Sequence, residues 1–415
     1  MLHLHNPTIK AYQFDGEFGL EKESLRVNEN GHFAKTRHPF ENDQNIVKDF
    51  AENQTEINTE IHKSAHGAIK ELEKHQERLI NVLKDQQEYL WRFSNPPYIE
   101  NEEDIPIAIY SDSLISKYHY RQYLSHKYGR YLMTFSGIHV NFSFGQRLLD
   151  EAFQHDSHTN FQDYKNNLYL HIAKGLIEYG WILVTLMAAS PIVDGSYFEQ
   201  GVEGQSIFTG MASLRCSELG YWNEFIPILD YSSLPNYVES IQKYLNKGLL
   251  SAASELYYPI RLKPAGVNRL DQLLKNGVNH IELRMYDLNP FAPSGVDEMD
   301  LLFAQRLILY LADLPPFTLN EVDQVRSIQN FKKAARYDLD QTHISSADNT
   351  SLSVREAALN LLDQIKEFFD DDESISIIDF QRQKLIDDQK RYAARVKEIY
   401  GTQFQEKALA LAKKR

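Results

Sequence analysis

The chain has 415 residues, 42% hydrophobic and 25% charged, a balance that suits a core-forming globular protein and not a disordered one. Its 44 basic residues against 58 acidic ones leave a net charge of -14, which opposes general affinity for nucleic acid or anionic lipid, so no nucleic-acid or membrane partner is expected. The lone cysteine, Cys216, excludes an intramolecular disulfide and a cysteine-only zinc site, leaving oxygen ligands and His for any metal.

In chain order, the opening MLHLHNPTIKAYQFDGEFG lacks the apolar segment of a signal peptide, and a cytoplasmic location is expected. FGLEKESLRV then predicts a strand on which Glu21 and Glu23 share a face with Leu25 and Val27, while Leu20, Lys22, Ser24 and Arg26 form a mixed opposite face. Two carboxylates on one face repel, so they require a cation between them or open water. The stretch VKDFAENQTEINTEI has two readings. As a helix it aligns Asp49, Glu52 and Glu56; as a strand it alternates Glu56, Asn58 and Glu60 with Ile57, Thr59 and Ile61. Under either, Asp49 and Glu56 reach a shared site near a helix-to-strand junction.

Apolar spacing predicts helices over Ala65 to Glu88, Asn166 to Ala189 and Asp297 to Ala312. The greasiest run, WILVTLMAAS from Trp181, falls short of the roughly 20 residues of a bilayer span. Between the helices lie further strands. GIHVNFSF from Gly137 puts His139, Asn141 and Ser143 on one face; NHIELRMYD from Asn279 puts Glu282, Arg284 and Tyr286 opposite Ile281, Leu283 and Met285. YYPIRLK from Tyr257 is a fourth strand candidate. One polar strand face is ordinarily a solvated one. Three in one sheet make an acidic cavity with a His and an Arg, and its oxygen excess suits Mg²⁺ or Mn²⁺ better than zinc.

Arg121, Arg215, Arg261 and Lys263 recur near turn signals, and an arginine fork grips carboxylate or phosphate bidentately, which points to an anionic substrate and a nucleotide. Each alone is ordinarily a surface ion pair. There is neither a Walker loop nor a Rossmann fingerprint. Cys216 reads as a small buried side chain rather than a nucleophile. After Asp340 the polar DQTHISSADNTSLS leads into charged amphipathic helices. Dispersed strands without regular strand-helix alternation indicate an α+β fold, with 1–340 as one catalytic domain and 341–415 as a C-terminal helical segment packed on it. No interface signal stands out, so the sequence leaves the oligomeric state open.

FGLEKESLRV, SGIHVNFSF, SPIVDGSY, SLRCSELGYWN, YYPIRLK and HIELRMYDLNP, in that order, resemble the bacterial glutamate-cysteine ligases, including the ligase portion of the bifunctional glutathione synthases. The resemblance runs from about residue 12 to about residue 310. It implies a glutamine-synthetase-like fold, an antiparallel sheet curved into a funnel with helices on its outer face. It also implies Glu21, Glu23, Asp49, Glu56, His139 and Glu282 as ligands for two or three Mg²⁺ ions, with Mn²⁺ as a substitute. By the same resemblance Arg121 and Arg284 contact the phosphates of ATP, Asn141 and Arg215 hold glutamate, and Phe50, Tyr221 and Tyr257 lie near the cysteine side chain. Arg284, Arg215 and Glu21 are then the catalytic set.

The implied reaction joins the γ-carboxylate of glutamate to the amine of cysteine through γ-glutamyl phosphate, the first step of glutathione synthesis. The bifunctional relatives continue into a domain that adds glycine, so a chain ending at Arg415 is expected to perform the first step alone. The segment beyond Asp340 has no counterpart in the resemblance. Three alternatives compete: a γ-glutamyl ligase for another small amine, a metal-dependent hydrolase built on the same carboxylates and His, and a non-catalytic binding protein. A binding protein has no physical need of a costly carboxylate cluster.

Overall fold

A computed structural model describes residues 1–111, 114–199 and 202–414. Its main sheet has seven strands: β1 (Gly16–Val27), β2 (Ile46–Lys48), β3 (Gln54–Asn58), β4 (Tyr89–Leu90), β5 (Gly137–Phe144), β8 (Ile260–Lys263) and β9 (His280–Asp287). Two small hairpins lie outside it, β6 (Ile192–Asp194) with β7 (Ser206–Phe208) and β10 (His343–Ser345) with β11 (Ser351–Ser353). The order is β2-β3-β1-β5-β9-β8, every neighbour antiparallel, with β4 on the far end of β1. The expected α+β architecture with an antiparallel sheet is what the chain adopts.

One sheet face makes the main core. Leu20, Ile57, Val140, Phe142, Ile281 and Leu283 pack there against Ile69 and Leu72 of helix Ala65–Asp85, Leu168 and Ile172 of helix Phe161–Tyr179, and Phe303 and Leu307 of helix Glu298–Asp313. Burial of such apolar side chains contributes on the order of 25 cal/mol per Å². Strand β1 is exceptional, because its core-side residues include Lys22 and Arg26, both buried. Arg26 meets Glu88 at 2.6 Å and the carbonyl of Glu52 at 2.8 Å, so its charge is paired. The opposite sheet face is the polar one.

Local chemistry moves several boundaries. The helix expected over Asn166 to Ala189 begins at Phe161, because Asn160 caps it by accepting from the Asp163 amide, and breaks at Gly180 with a 58° bend into helix Trp181–Met187. Among the described residues no single helix is long and apolar enough to cross a membrane. Arg121 is no turn residue; it sits inside helix Ile115–Tyr128. Tyr286 also departs from expectation. The β5-β9 register shifts between Ile138 and Val140, so Tyr286 faces Ile138 and enters the core, where its hydroxyl donates to the Asp300 carbonyl at 3.3 Å.

Residues 341–413 form the β10-β11 hairpin and helices Val354–Phe368, Asp372–Ile386, Tyr392–Tyr400 and Phe404–Lys413. They are tied to the rest through buried groups. Lys384 pairs with Asp300 at 2.6 Å, Tyr392 donates to the same carboxylate at 3.0 Å, and Gln405 donates to the Gly31 carbonyl at 2.6 Å.

Candidate active site

The polar face of β1, β5 and β9 forms the floor of a cavity of about 330 Å³. Antiparallel register brings its groups together: Glu21 lies opposite His139, Glu23 opposite Glu56, and Asn141 opposite Glu282. Asp49 and Phe50 enter from the turn that joins β2 to β3. The segment is therefore a strand hairpin, and neither a helix nor a helix-to-strand junction. Glu52, on the helix reading a partner of Asp49 and Glu56, instead turns away to accept from the amides of His38 and Ile109 at 2.8 and 2.7 Å.

Around Glu282 the charges are matched. Its carboxylate lies 3.1 Å from Lys263 Nζ, 3.2 Å from Arg284 Nη1 and 3.9 Å from Arg261 Nε. Burial alone would raise this carboxyl, but Arg284, Lys263 and Arg261 outweigh it and hold the group well below the usual carboxylate range. Glu21 follows the same pattern. Burial raises it, yet the hydrogen bond with His139 (Nδ1 to Oε2, 3.1 Å) leaves it lowered on balance, and Asn141 Nδ2 donates to its other oxygen at 3.0 Å. Burial and then Arg284 lower His139 to about 4, so its imidazole is neutral near pH 7.

The other half is unmatched. Burial pushes Glu23 up to about 7, with Asp49 adding to the effect, although the Gly137 amide donates to it at 2.9 Å. Burial also raises Asp49 and Glu56, the latter well above its usual range, with Glu21, Asp49 and Glu23 reinforcing it. Such a group of carboxylates calls for a cation from outside the chain.

The donor set fits a hard divalent ion. Among the described residues Glu21, His139 and Glu282 each offer a ligand atom within 4.8 Å of the others. His139 Nε2 and Glu282 Oε2 are buried without a hydrogen-bond partner, as is Asn141 Oδ1. Oxygen-rich donors with one imidazole suit Mg²⁺ or Mn²⁺. Glu23, Asp49 and Glu56 line the same cavity but stand outside that close triad.

Arginines rim the acids. Arg121 donates through Nε to the Asp49 carbonyl, and its guanidinium lies over the Tyr110 ring at 4.9 Å. Arg215 comes from the loop after Ser213; its Nη1 donates to the Arg284 carbonyl at 2.8 Å, and it lines a small adjoining cavity with Tyr221, Tyr257 and Arg284. A Cβ at Gly137 would collide with the Arg215 guanidinium, which would have to move aside to admit it. Phe50, Tyr221 and Tyr257 form an aromatic wall, the two tyrosine rings 4.2 Å apart. Cys216 is buried, as expected, and burial pushes its thiol up to about 11.

Sequence reasoning misses Lys117, Tyr120, Ser254 and Asn268, all of which line the cavity. Lys117 carries a detectable signal, standing one helical turn before Arg121. Ser254 and Asn268 come from irregular segments with no motif to mark them.

Comparison with known proteins gives the family. A model of the glutamate-cysteine ligases matches residues 2–334. The chain belongs to the glutamate-cysteine ligase family. It is 34% identical over 411 residues to the glutathione biosynthesis bifunctional protein of Listeria innocua, covering 94% of this chain and 53% of that protein. Its counterpart in Streptococcus mutans is 34% identical over 368 residues, 85% of this chain and 46% of that protein. The chain thus spans about half the length of the curated relatives it matches. With the Listeria relative the likeness extends beyond residues 12–310 and takes in much of the segment after Asp340. Two solved structures share the fold. The glutamate-cysteine ligase of Francisella tularensis, in complex with AMP, has a TM-score of 0.85 at 24% identity over 96% of this chain and 87% of its own. A bifunctional glutathione synthetase from Pasteurella multocida has a TM-score of 0.79 at 28% identity over 99% of this chain and 54% of its own.

Proposed function

We propose that this member of the glutamate-cysteine ligase family joins the γ-carboxylate of glutamate to the amine of cysteine at the expense of ATP, giving γ-glutamylcysteine, ADP and phosphate. The observation that carries the reading is a carboxylate-His cluster on the polar sheet face that shares one cavity with Arg121 and Arg284, with Arg215 lining the small cavity beside it. Glu21, Glu23, Asp49, Glu56, His139 and Glu282 are the residues that would hold Mg²⁺, which when bound neutralises triphosphate charge and polarises the phosphoryl oxygens. The Francisella protein, which shares the fold, is in complex with AMP, which supports a nucleotide as co-substrate.

Arg121 and Arg284 bind the phosphates and stabilise charge as the γ-phosphoryl group passes to the glutamate side chain. Arg215 and Asn141 orient that glutamate. Its carboxylate becomes an acyl phosphate, and a neutral amine attacks the acyl carbon while phosphate leaves. Phe50, Tyr221 and Tyr257 enclose the side chain of the amine donor and exclude water from the acyl phosphate. Residues 341–414 brace this machinery as part of the same unit.

The test is ADP release by the purified chain with Mg²⁺ and ATP, comparing glutamate plus cysteine, glutamate plus 2-aminobutyrate, and each amino acid alone. Fastest release with glutamate and cysteine together is expected. A faster rate with another amine moves the acceptor, and release indifferent to any amine overturns the ligase reading.

A further inference from the structure

The two ends of helix Ile115–Tyr128 are anchored in different ways. At the Arg121 end, Tyr110 gathers the side chains: Arg121 lies 4.9 Å and Lys117 5.7 Å from its ring, and its hydroxyl donates to the carbonyls of Lys48 and Asp49, each at 3.4 Å. At the other end, the helix meets a carboxylate with no exposure at all, Glu255. That group accepts from Lys127 Nζ at 2.6 Å, the Tyr128 hydroxyl at 2.8 Å and the Ser251 amide at 2.6 Å. From there a chain of contacts reaches the cavity. The Tyr128 ring packs on Tyr257 at 5.3 Å, and Tyr257 packs on Tyr221. Asn223 ties the same parts together, donating to the Tyr128 hydroxyl at 3.1 Å and the Glu255 carbonyl at 2.8 Å while accepting from the Tyr257 amide at 2.9 Å.

We propose that Glu255 is a positioning residue for the amine acceptor: by fixing Lys127 and Tyr128 it holds the Tyr257-Tyr221 wall in place, independently of the Tyr110 anchor on the nucleotide side. The assignment of the wall to the acceptor rests on the ligase reading above. The physical reason for the division is separation along the helix. Arg121 stands almost two turns from Lys127 and Tyr128 and has its own acceptor in Asp49, so loss of Glu255 leaves it anchored. Without the carboxylate, the Lys127 ammonium loses its counterion and the Tyr128 hydroxyl its acceptor, and the rings behind Tyr257 are free to shift.

The experiment compares the full chain with Glu255→Gln, Tyr128→Phe and Tyr110→Leu, measuring the KM of each substrate and hydrogen exchange at the Tyr257 and Tyr221 segments. For Glu255→Gln the expected result is a roughly tenfold rise in KM for the amine, the scale of one lost charge-assisted hydrogen bond. KM for ATP should stay within about twofold, and exchange at Tyr257 should quicken. Tyr128→Phe should move both readouts less and in the same direction, which preserves the test where Glu255→Gln fails to fold. Tyr110→Leu should raise KM for ATP instead. Unchanged exchange at Tyr257, or KM values for all three substrates rising together, would overturn the proposal. Should no amine support ADP release by the unsubstituted chain, the ligase reading falls; exchange at Tyr257 then decides by itself whether Glu255 holds the wall.

Discussion

Two halves of one acidic cavity behave in opposite ways. Around Glu282 the chain supplies its own counterions, Arg284, Lys263 and Arg261, and the carboxyls of Glu282 and Glu21 are held low. Around Glu56 it supplies too few, and burial raises Glu23, Asp49 and Glu56 together. The first half is finished in its charge balance, while His139 Nε2 and Glu282 Oε2 of its donor triad remain without a hydrogen-bond partner. The second is unfinished, and a divalent cation would complete it.

The sharpest way to break this comparison is to remove one acid from the finished half. Glu282→Gln is expected to lower ADP release by about 10²–10³-fold, the scale of losing a preorganised electrostatic group. Three cations are then left facing a neutral amide. Steady-state assays with circular dichroism as the folding control decide it, and full activity would remove Glu282 from the site. Gly137→Ala comes next. A methyl there displaces the Arg215 guanidinium, so the glutamate KM should rise about tenfold with a smaller change in the KM for ATP.

The unfinished half predicts the reverse behaviour in stability. With the chain in EDTA, Glu56→Gln relieves repulsion and should raise Tm by about 1–2 °C, whereas Glu282→Gln should lower it. Added Mg²⁺ should stabilise the unsubstituted chain and do so less for Glu56→Gln. Equal Mg²⁺ increments in both would deny that Glu56 faces the ion.

A control outside the cavity gives the smallest effect. His171 is lowered from 6.5 to about 4 by burial and then by Lys174, and its ring packs against Phe317. The unfolded chain takes up the proton first as pH falls below 6.5, so His171 costs no stability above that value and a growing amount down to about 4. His171→Gln should flatten that limb of the Tm-pH curve by about 1 °C. An identical curve would place the acid sensitivity elsewhere.

Period-two alternation makes His139, Asn141, Glu282 and Arg284 legible along the chain, because a strand sends alternate side chains to opposite faces whatever its neighbours. The same rule fails for Tyr286, where a register shift against β5 turns the ring into the core. It is also silent between helix and strand for Asp49 to Glu56, since that stretch satisfies both periods until pairing with β1 selects one. Lys117 lies within reach of sequence reasoning through its helical spacing from Arg121. Ser254 and Asn268 do not, because loops carry no period.

The sequence by itself therefore determined which residues are acidic, basic and aromatic on each strand face, the α+β class, and the family resemblance, all properties of local order along the chain. Tertiary structure alone decided which acids share counterions. Strand order sets Glu282 beside β8, within reach of Arg261 and Lys263, and sets Glu23 beside Glu56, and a charge's energy depends on what stands within a few ångströms of it in space.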